Sequence, residues 1–382
     1  MKKLQKLNKL LSKPLIRLIR IYQMTLSPDQ IPSLRLKRVC THEPHCSKYG
    51  VEVLKKHGFW PGIWYASERV LHCTPSMTIN HDPSHYRVVF CSSAPIGVPF
   101  LQQLNEDSRF EVVVVTQPDK ASGRGMDMHQ NIIKTEAKKL ITDIQTPNKL
   151  NPEKSEEKQF TQWLQEKQPD FLVVIAYGKI LPEAILSIPT KPINVHGSIL
   201  PEYRASPLQS VFLDNKSESG ITIMKIDKEM DTDMIDTLKT PLKFDRTVLD
   251  LISRIQNKGP KFLNTTLRDY GKHLGSIPQD HKKAIYCSKI EKESLFDPET
   301  DTLQDIYNKY HAFYLWPKVY FEHKGKRVII EQLKIDENLY KTEAMKPLFE
   351  DFTLNPAITD ILVKPEGKKP MDWKSFCNGY AN

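Results

Sequence analysis

What the chain lacks narrows the field first. No run of 18 apolar residues occurs, so a membrane-spanning helix is not expected. Cysteine is sparse: Cys40, Cys46, Cys73, Cys91, Cys287 and Cys377 are the six in 382 residues. In a chain long enough for separate cores that is not a disulfide scaffold, and reduced, cytosolic thiols are expected. The start, Met1 to Lys13, is basic like the front of a signal peptide. Arg17 and Arg20, however, interrupt what should be its apolar region, and no small-residue cleavage site follows. G-x-G-x-x-G is missing after the first expected strand, which continues Cys91-Ser92-Ser93-Ala94-Pro95. A dinucleotide cofactor, and with it a dehydrogenase, is therefore disfavoured. Neither a G-x-S-x-G elbow nor a Walker loop is present.

What is present is soluble-globular usage, 39% hydrophobic and 26% charged, over a length that suits two or three domains. The net charge of +9 is uneven: residues 1–87 hold 15 Lys+Arg against 5 Asp+Glu, a net of +10, which leaves −1 for the remainder. Such asymmetry points the leading segment at nucleic acid or an anionic membrane.

In that segment Leu4, Leu7, Leu10 and Leu11, then Leu15, Leu18, Ile19, Tyr22 and Leu26, recur at helical spacing with Lys6, Lys9, Lys13, Arg17 and Arg20 between them. The pattern suits a helix lying in a membrane interface, or one that packs on its own small domain; Pro14 is expected to bend or restart it. Helices are also expected from Ser47 to His57 and from Gly62 to His72, with Trp60 and Trp64 suiting an interface or a small core. Cys40, Cys46, Cys73, His42, His45 and His72 invite a zinc reading. The Cys40-to-Cys46 gap is wider than a zinc knuckle, so buried thiols are favoured and no metal is expected. The run Leu15 to Pro28, the stretch Cys40 to Gly50 and the stretch Gly58 to Pro75 resemble the YidD family of membrane protein insertion efficiency factors. That resemblance implies peripheral association with the cytoplasmic face of the inner membrane, with the insertion machinery as a further partner.

From Arg87-Val88-Val89-Phe90 the pattern changes to strands alternating with helices: strands at 88–90, 111–116, 171–176 and up to His196, helices at 95–104, 132–139 and 155–166. A mostly parallel sheet covered on both faces is expected. Between the second strand and its helix lies Thr116 to His129, where Gly123 and Gly125 flank Arg124. A mobile loop with Lys120 and Arg124 as phosphate or base donors is expected there.

The stretch Ile193 to Pro201 organises the domain. Asn194 and His196 are two apart, so on a strand both leave one face, and Asp231 follows in an acidic turn. An amide, an imidazole and a carboxylate can manage one proton and one developing oxyanion, as acyl-like transfer to an amine requires; a satisfied polar network at a strand end is the alternative. No nucleophilic Ser or Cys is demanded.

Thr116-Gln117-Pro118-Asp119, the Gly-Arg-Gly loop, Val173 to Pro182, Asn194 to Pro201, Gly220 to Met224 and Asp231-Thr232 resemble methionyl-tRNA formyltransferases. The resemblance implies Asn194, His196 and Asp231 as the catalytic group, with 10-formyltetrahydrofolate as co-substrate and no metal. The expected folate cleft is lined by Tyr177, Gly178, Lys179, Ile180 and Leu181, with Phe90, Ser198 and Pro201 completing its walls. Lys120 and Arg124 are expected to reach the acceptor stem of initiator tRNA, and Arg204 to lie near the same cleft. Two sites depart from the family pattern: Arg204-Ala205-Ser206-Pro207 and Asp231-Thr232-Asp233 are each one glycine short. A misplacement of about 1 Å at a reacting group can cost roughly 100-fold in rate.

After a helix near 249–268, residues 271–280 read as a linker. A strand at 284–290 and a helix at 303–310 are expected, then short antiparallel strands at 319–322, 327–333 and 361–364, with Gly325 and Gly367 at turns. That economy implies a small barrel. Trp316-Pro317 is expected as a core anchor, and Lys324, Lys326, Arg327, Lys368 and Lys369 as a basic face. The section resembles the OB-like domain of the same formyltransferases, which adds Lys326, Arg327 and Lys368 to the expected tRNA contacts. The expected fold is thus multidomain: a small helical domain (1–87), an α/β Rossmann-like formyltransferase domain (88–270), and a linker with an OB-like barrel (271–382), acting as a monomer. Two other readings stay open: a folate-dependent formyltransferase or hydrolase with a small-molecule acceptor, and a catalytically weakened tRNA- or folate-binding module.

Overall fold

The computed structural model describes residues 2–25, 46–71, 86–122, 127–140, 143–150, 155–204, 207–226, 233–271, 277–287 and 294–380. The expected positions Cys40, His42, His45, His72, Cys73, Arg124 and Asp231 lie outside the described residues. The chain divides into two compact units: residues 1–90, 101–172 and 187–191 in one, residues 91–100, 173–186 and 192–382 in the other.

The helices are α1 (Lys2–Thr25), α2 (Cys46–His57), α3 (Phe59–Leu71), α4 (Val98–Glu106), α5 (Ile132–Leu140), α6 (Ser155–Lys167), α7 (Glu183–Leu186), α8 (Pro207–Leu213), α9 (Val248–Gly271), α10 (Leu303–Ala312), α11 (Glu337–Glu343) and α12 (Trp373–Tyr380). The first strands are β1 (Tyr86–Ser92), β2 (Phe110–Val115), β3 (Lys120–Ser122), β4 (Asp127–His129), β5 (Ile144–Gln145), β6 (Phe171–Ile175), β7 (Lys191–His196), β8 (Glu218–Lys225), β9 (Asp233–Pro241) and β10 (Ile277–Pro278). The last are β11 (Tyr320–His323), β12 (Lys326–Ile335), β13 (Phe349–Glu350), β14 (Thr353–Leu354), β15 (Ile358–Pro365) and β16 (Met371–Asp372).

In the first unit α1, α2 and α3 pack on one another. Tyr49, Val53 and Leu54 are buried between them, and Gln23 Nε2 donates to Ser47 Oγ at 3.2 Å. Pro14 does not end α1, which runs through it as one element; the missing N–H removes a single bond from a helix that its packing retains.

The main sheet has the order β10-β9-β8-β7-β6-β1-β2-β5. It is mixed, which corrects the mostly parallel expectation: β2 and β5 pair parallel, whereas β7–β8, β8–β9 and β9–β10 are antiparallel. For β8 and β9 the cause is connection length. Parallel neighbours need a crossover of roughly a dozen residues or more, and only residues 226–232 separate β8 from β9. β10 also corrects the linker at 271–280, because Ile277 and Pro278 pair with Met234 and Asp233. Of the strand expected at 284–290, the described part gives one isolated bridge, Tyr286 to Arg204.

In the second unit α9 packs on β8 and β9. The C-terminal strands form a four-stranded antiparallel sheet in the order β11-β12-β15-β16. Among the described residues these strands do not close into a barrel. Trp316 corrects the expected core anchor: it is 67% exposed, whereas Phe313, Phe321, Ile330, Val363 and Phe376 fill the core.

Close approach in the main sheet selects Gly220, where an added Cβ would lie 2.1 Å from the Leu238 carbonyl oxygen on β9. Backbone cannot yield as a flexible side chain does. Gly220→Ala is therefore expected to destabilise the second unit by about 1–3 kcal/mol, the usual cost of overpacking. Urea unfolding checks this, and an unchanged midpoint would contradict it.

Candidate active site

β7 is buried on both faces, with Ile193 fully buried and Val195 and His196 8% and 6% exposed. Asn194 is half-buried. The antiparallel register sets Asn194 opposite Met224 and His196 opposite Thr222 on β8, so Asn194 and His196 share a face as their spacing predicts.

Beyond His196 the chain folds into a loop held by its own polar groups. Thr222 Oγ1 donates to the Ser198 carbonyl at 2.7 Å and accepts from Leu200 N at 3.1 Å. Ser198 Oγ, fully buried, donates to the carbonyls of Glu202 at 2.8 Å and Tyr203 at 3.3 Å. The Tyr203 carbonyl also lies 2.8 Å from His196 Nε2. A carbonyl only accepts, so Nε2 carries a proton. Tyr203 sits at φ 58° and its hydroxyl donates to Asp214 Oδ2 at 2.7 Å. Burial, then that bond, pushes the phenol well above its usual range, so it stays protonated.

Arg204 closes the loop from below. It is 2% exposed, with Nη1 donating to Tyr286 Oη at 2.9 Å and Nη2 to Gln279 Oε1 at 3.0 Å. Its backbone bonds to Ile285 O and Cys287 N at 2.8 and 3.0 Å. This corrects Arg204 as a nucleic-acid contact: a guanidinium buried against two side chains braces the loop and does not meet phosphate.

The expected folate wall is also revised. Ala176 (φ 45°) and Gly178 (φ 73°) turn the chain sharply after β6, and Ser93 N holds the Ala176 carbonyl at 3.3 Å. Gly178 and Ile180 are exposed, Ile180 by 88%, and Lys179 and Leu181 are half-buried. Tyr177, Phe90 and Ser198 are 1%, 0% and 0% exposed. Their side chains fill core or bond the loop, so none offers a ligand-facing surface. Pro201 is half-buried and joined to Leu200 by a cis peptide bond. Burial pushes the Cys91 thiol far up, and burial, then neighbouring Cys91, does the same to Tyr177. Neither is an ionised nucleophile.

Asp231 falls in the undescribed 227–232 segment, but the ends of that segment are fixed. Ile226 N donates to the Pro192 carbonyl at 2.9 Å, and Asp233 pairs with Lys225, itself opposite Ile193. Ile226 therefore lies beside the beginning of β7, and Asp233 lies level with it on β9, one strand further out.

Lys120 opens β3, opposite His129 on β4. The base of that hairpin is tied: Asp119 accepts from Asn131 N at 2.9 Å and from Lys134 Nζ at 2.6 Å. The Lys134 bond chiefly holds its carboxyl below the usual range. In the C-terminal sheet Lys326 and Lys368 are exposed and Arg327 is half-buried, stacked on Tyr320 at 3.8 Å from the ring centroid.

Sequence reasoning missed Thr222, Gln279 and Tyr286. Thr222 lay inside a quoted motif, Gly220 to Met224, with no task assigned; the other two carried no local signal. Thr222→Val leaves the buried Ser198 carbonyl and Leu200 N–H without their partner. A loss of about 1–3 kcal/mol is expected, with Thr222→Ser retaining most of the stability. Chemical denaturation of the two variants checks this, and equal stability of the valine variant would contradict it.

Comparison with known proteins shows the family. The formyl transferase family profile matches residues 87–267, and that of the YidD membrane protein insertion efficiency factors matches 11–85. A methionyl-tRNA formyltransferase of Caldicellulosiruptor saccharolyticus is 34% identical over 311 residues, 77% of this chain and 96% of the relative. One from Listeria monocytogenes is 32% identical over 305 residues, 77% of this chain and 95% of the relative. Among solved structures, a 4-N formyltransferase from Francisella tularensis is similar in fold, with a TM-score of 0.51, 15% identity, and coverage of 65% of this chain and 97% of that one. The chain therefore belongs to the methionyl-tRNA formyltransferase family, with a YidD-family segment ahead of the formyl transferase domain.

Proposed function

We propose that the chain transfers a formyl group from 10-formyltetrahydrofolate to the amino group of methionyl initiator tRNA, and that residues 1–87 attach it to an anionic membrane surface. The observation that carries the enzymatic reading is the fixed ring of His196, with Nε2–H committed to the Tyr203 carbonyl and Asn194 on the same face of β7.

The folate donor supplies an electrophilic formyl carbon. The exposed backbone at Gly178 and the exposed side chain of Ile180 fit its flat ring, with Lys179, Leu181 and Pro201 at the margin. Asn194 donates to the formyl oxygen as charge develops there. The amine nitrogen bonds to the formyl carbon as His196 takes its proton, and the imidazolium returns that proton to the folate nitrogen as the bond between that nitrogen and the formyl carbon breaks. Asp231 stabilises the imidazolium so formed. It lies in a connection that is one glycine short of the family pattern. No enzyme nucleophile takes part, because the Ser198 hydroxyl is committed to two carbonyls.

The residues assigned to the RNA acceptor are Lys120 and Arg124, in the stretch between β2 and α5, and Lys326, Arg327 and Lys368 of the C-terminal domain. The divisions 1–87, 88–270 and 271–382 serve as attachment, catalytic and OB-like tRNA-binding domains of a monomer. For attachment, Leu18 is 63%, Ile21 51%, Trp60 71% and Trp64 70% exposed, with Lys13, Arg17 and Arg20 exposed on α1. Trp60 and Trp64 are one helical turn apart on α3, and indoles favour the headgroup level. No helix of the described residues is long and apolar enough to cross a membrane, so the attachment is peripheral, at the cytoplasmic face of the inner membrane with the insertion machinery nearby.

With the folate donor and methionyl initiator tRNA, the purified chain is expected to form formyl-methionine. His196→Ala and Asn194→Ala are expected to lower the rate about 100-fold or more without loss of fold. Turnover at the wild-type rate in His196→Ala would contradict the reading; activity on a small amine with little dependence on salt would favour a non-RNA acceptor. In vesicle flotation, Trp60→Ser with Trp64→Ser is expected to reduce recovery with anionic lipid, and unchanged recovery would contradict attachment through α3.

A further inference from the structure

The C-terminal domain exposes an indole that its own core does not use. Trp316 is 67% exposed and Leu315 49%, although an indole has much to gain from burial. The segment that carries Trp316 is held firmly. The Pro317 carbonyl accepts from Arg327 Nη2 at 3.4 Å, Lys318 N donates to the Phe313 carbonyl at 3.2 Å, and Ile330 N donates to the Val319 carbonyl at 2.9 Å. The aromatic neighbours of the segment already carry cations: Arg327 lies over Tyr320, and Lys318 Nζ lies 5.0 Å from the Tyr314 ring centroid.

The end of the sheet reached through Arg327 is basic. The β11–β12 register pairs His323 with Lys326 and Glu322 with Arg327. Glu366 N donates to the Arg327 carbonyl at 2.9 Å, which brings the turn after β15 alongside. Lys324, Lys326, Lys368 and Lys369 are exposed at that end. Glu322 and Glu366 are the acids among them, while Lys318 and Lys364 share Glu331 at 3.8 Å each. A cationic edge that tracks a polyanion, beside an open indole face, is the chemistry that holds unpaired nucleotides. The cations follow the backbone, and the ring stacks a base of any identity.

We propose that Trp316 is the stacking platform for an unpaired nucleotide of the RNA acceptor, whose phosphates cross Lys324, Lys326, Arg327, Lys368 and Lys369; this rests on the RNA-acceptor reading above. A duplex keeps its bases stacked on one another, so the platform selects unpaired over paired RNA and reads no sequence.

The test uses the full chain with three probes: methionyl initiator tRNA, a single-stranded hexaribonucleotide, and a duplex of the same length. Trp316→Ala is expected to weaken the tRNA and the hexamer about 5- to 100-fold, leaving the duplex and the salt slope unchanged. Trp316→Phe is expected to keep most of the affinity. Lys326→Gln with Lys368→Gln is expected to shallow the slope of log K against log salt by roughly 0.7–0.9 per charge. Hexamer and tRNA affinities unchanged in Trp316→Ala, or an equal loss on the duplex, would overturn the proposal. If wild type formylates methionyl-tRNA and Trp316→Ala binds it equally well, the platform alone falls. If wild type does not formylate it, the acceptor reading falls, and the hexamer still decides whether Trp316 stacks a base.

Discussion

The site depends on one hydroxyl that bonds in two directions. Thr222 Oγ1, on the strand beside β7, both donates to the Ser198 carbonyl and accepts from Leu200 N. That fixes the chain just after His196, so that the Tyr203 carbonyl returns to within 2.8 Å of the imidazole. Ring orientation is then tied to that carbonyl. Buried polar groups are costly unless satisfied, and here each satisfies another: hydroxyl to carbonyl, amide to hydroxyl, imidazole to carbonyl. Arg204 extends the same logic outward. The two Nη groups of its buried guanidinium bond to Tyr286 and Gln279, which ties the loop to residues some 80 positions later, while its Nε is buried without a partner.

Function is distributed by exposure. Groups that must hold still are buried: His196, Ser198, Tyr203 and Arg204 are all under 10% exposed. The groups proposed to meet other molecules are open: Ile180 beside the candidate folate wall, Trp316 beside the C-terminal basic edge, and Trp60 and Trp64 on the helical segment. Exposed apolar side chains of this size are informative because the cores around them are otherwise filled. Arginine shows the same division, since Arg204 is consumed by the scaffold while Arg327, half-buried and stacked on Tyr320, stands at a basic edge.

Much of this was legible in the sequence, and the remainder was not for physical reasons. Continuous apolar runs located β1, β2, β6 and β7 to within a residue or two, and helical periodicity did the same for α5 and α6, and for α9 to within three. Strand direction was not legible, because an apolar run reads alike in parallel and antiparallel neighbours; the short 226–232 connection was the clue to antiparallel pairing. Asn194 and His196 were legible as a pair through two-residue spacing. The braces were not, because Thr222 meets Ser198 across 24 positions and Arg204 meets Gln279 across 75, and nothing local encodes either meeting. Tyr177 and Phe90 were read as ligand walls, but their rings fill the interior while the backbone after Tyr177 remains open. Trp316 was read as core from its residue type, yet five other large apolar side chains already occupy that interior.

The central claim is that Asn194, His196 and Asp231 converge on a formyl carbonyl at the end of β7. A crystal structure of the full chain with the 5-formyl isomer of the folate donor tests it most directly. The account predicts the formyl oxygen at about 3 Å from Asn194 Nδ2, with the Asp231 carboxylate facing the His196 imidazole. A formyl group bound away from β7, or an Asp231 carboxylate turned away from the imidazole, would contradict it.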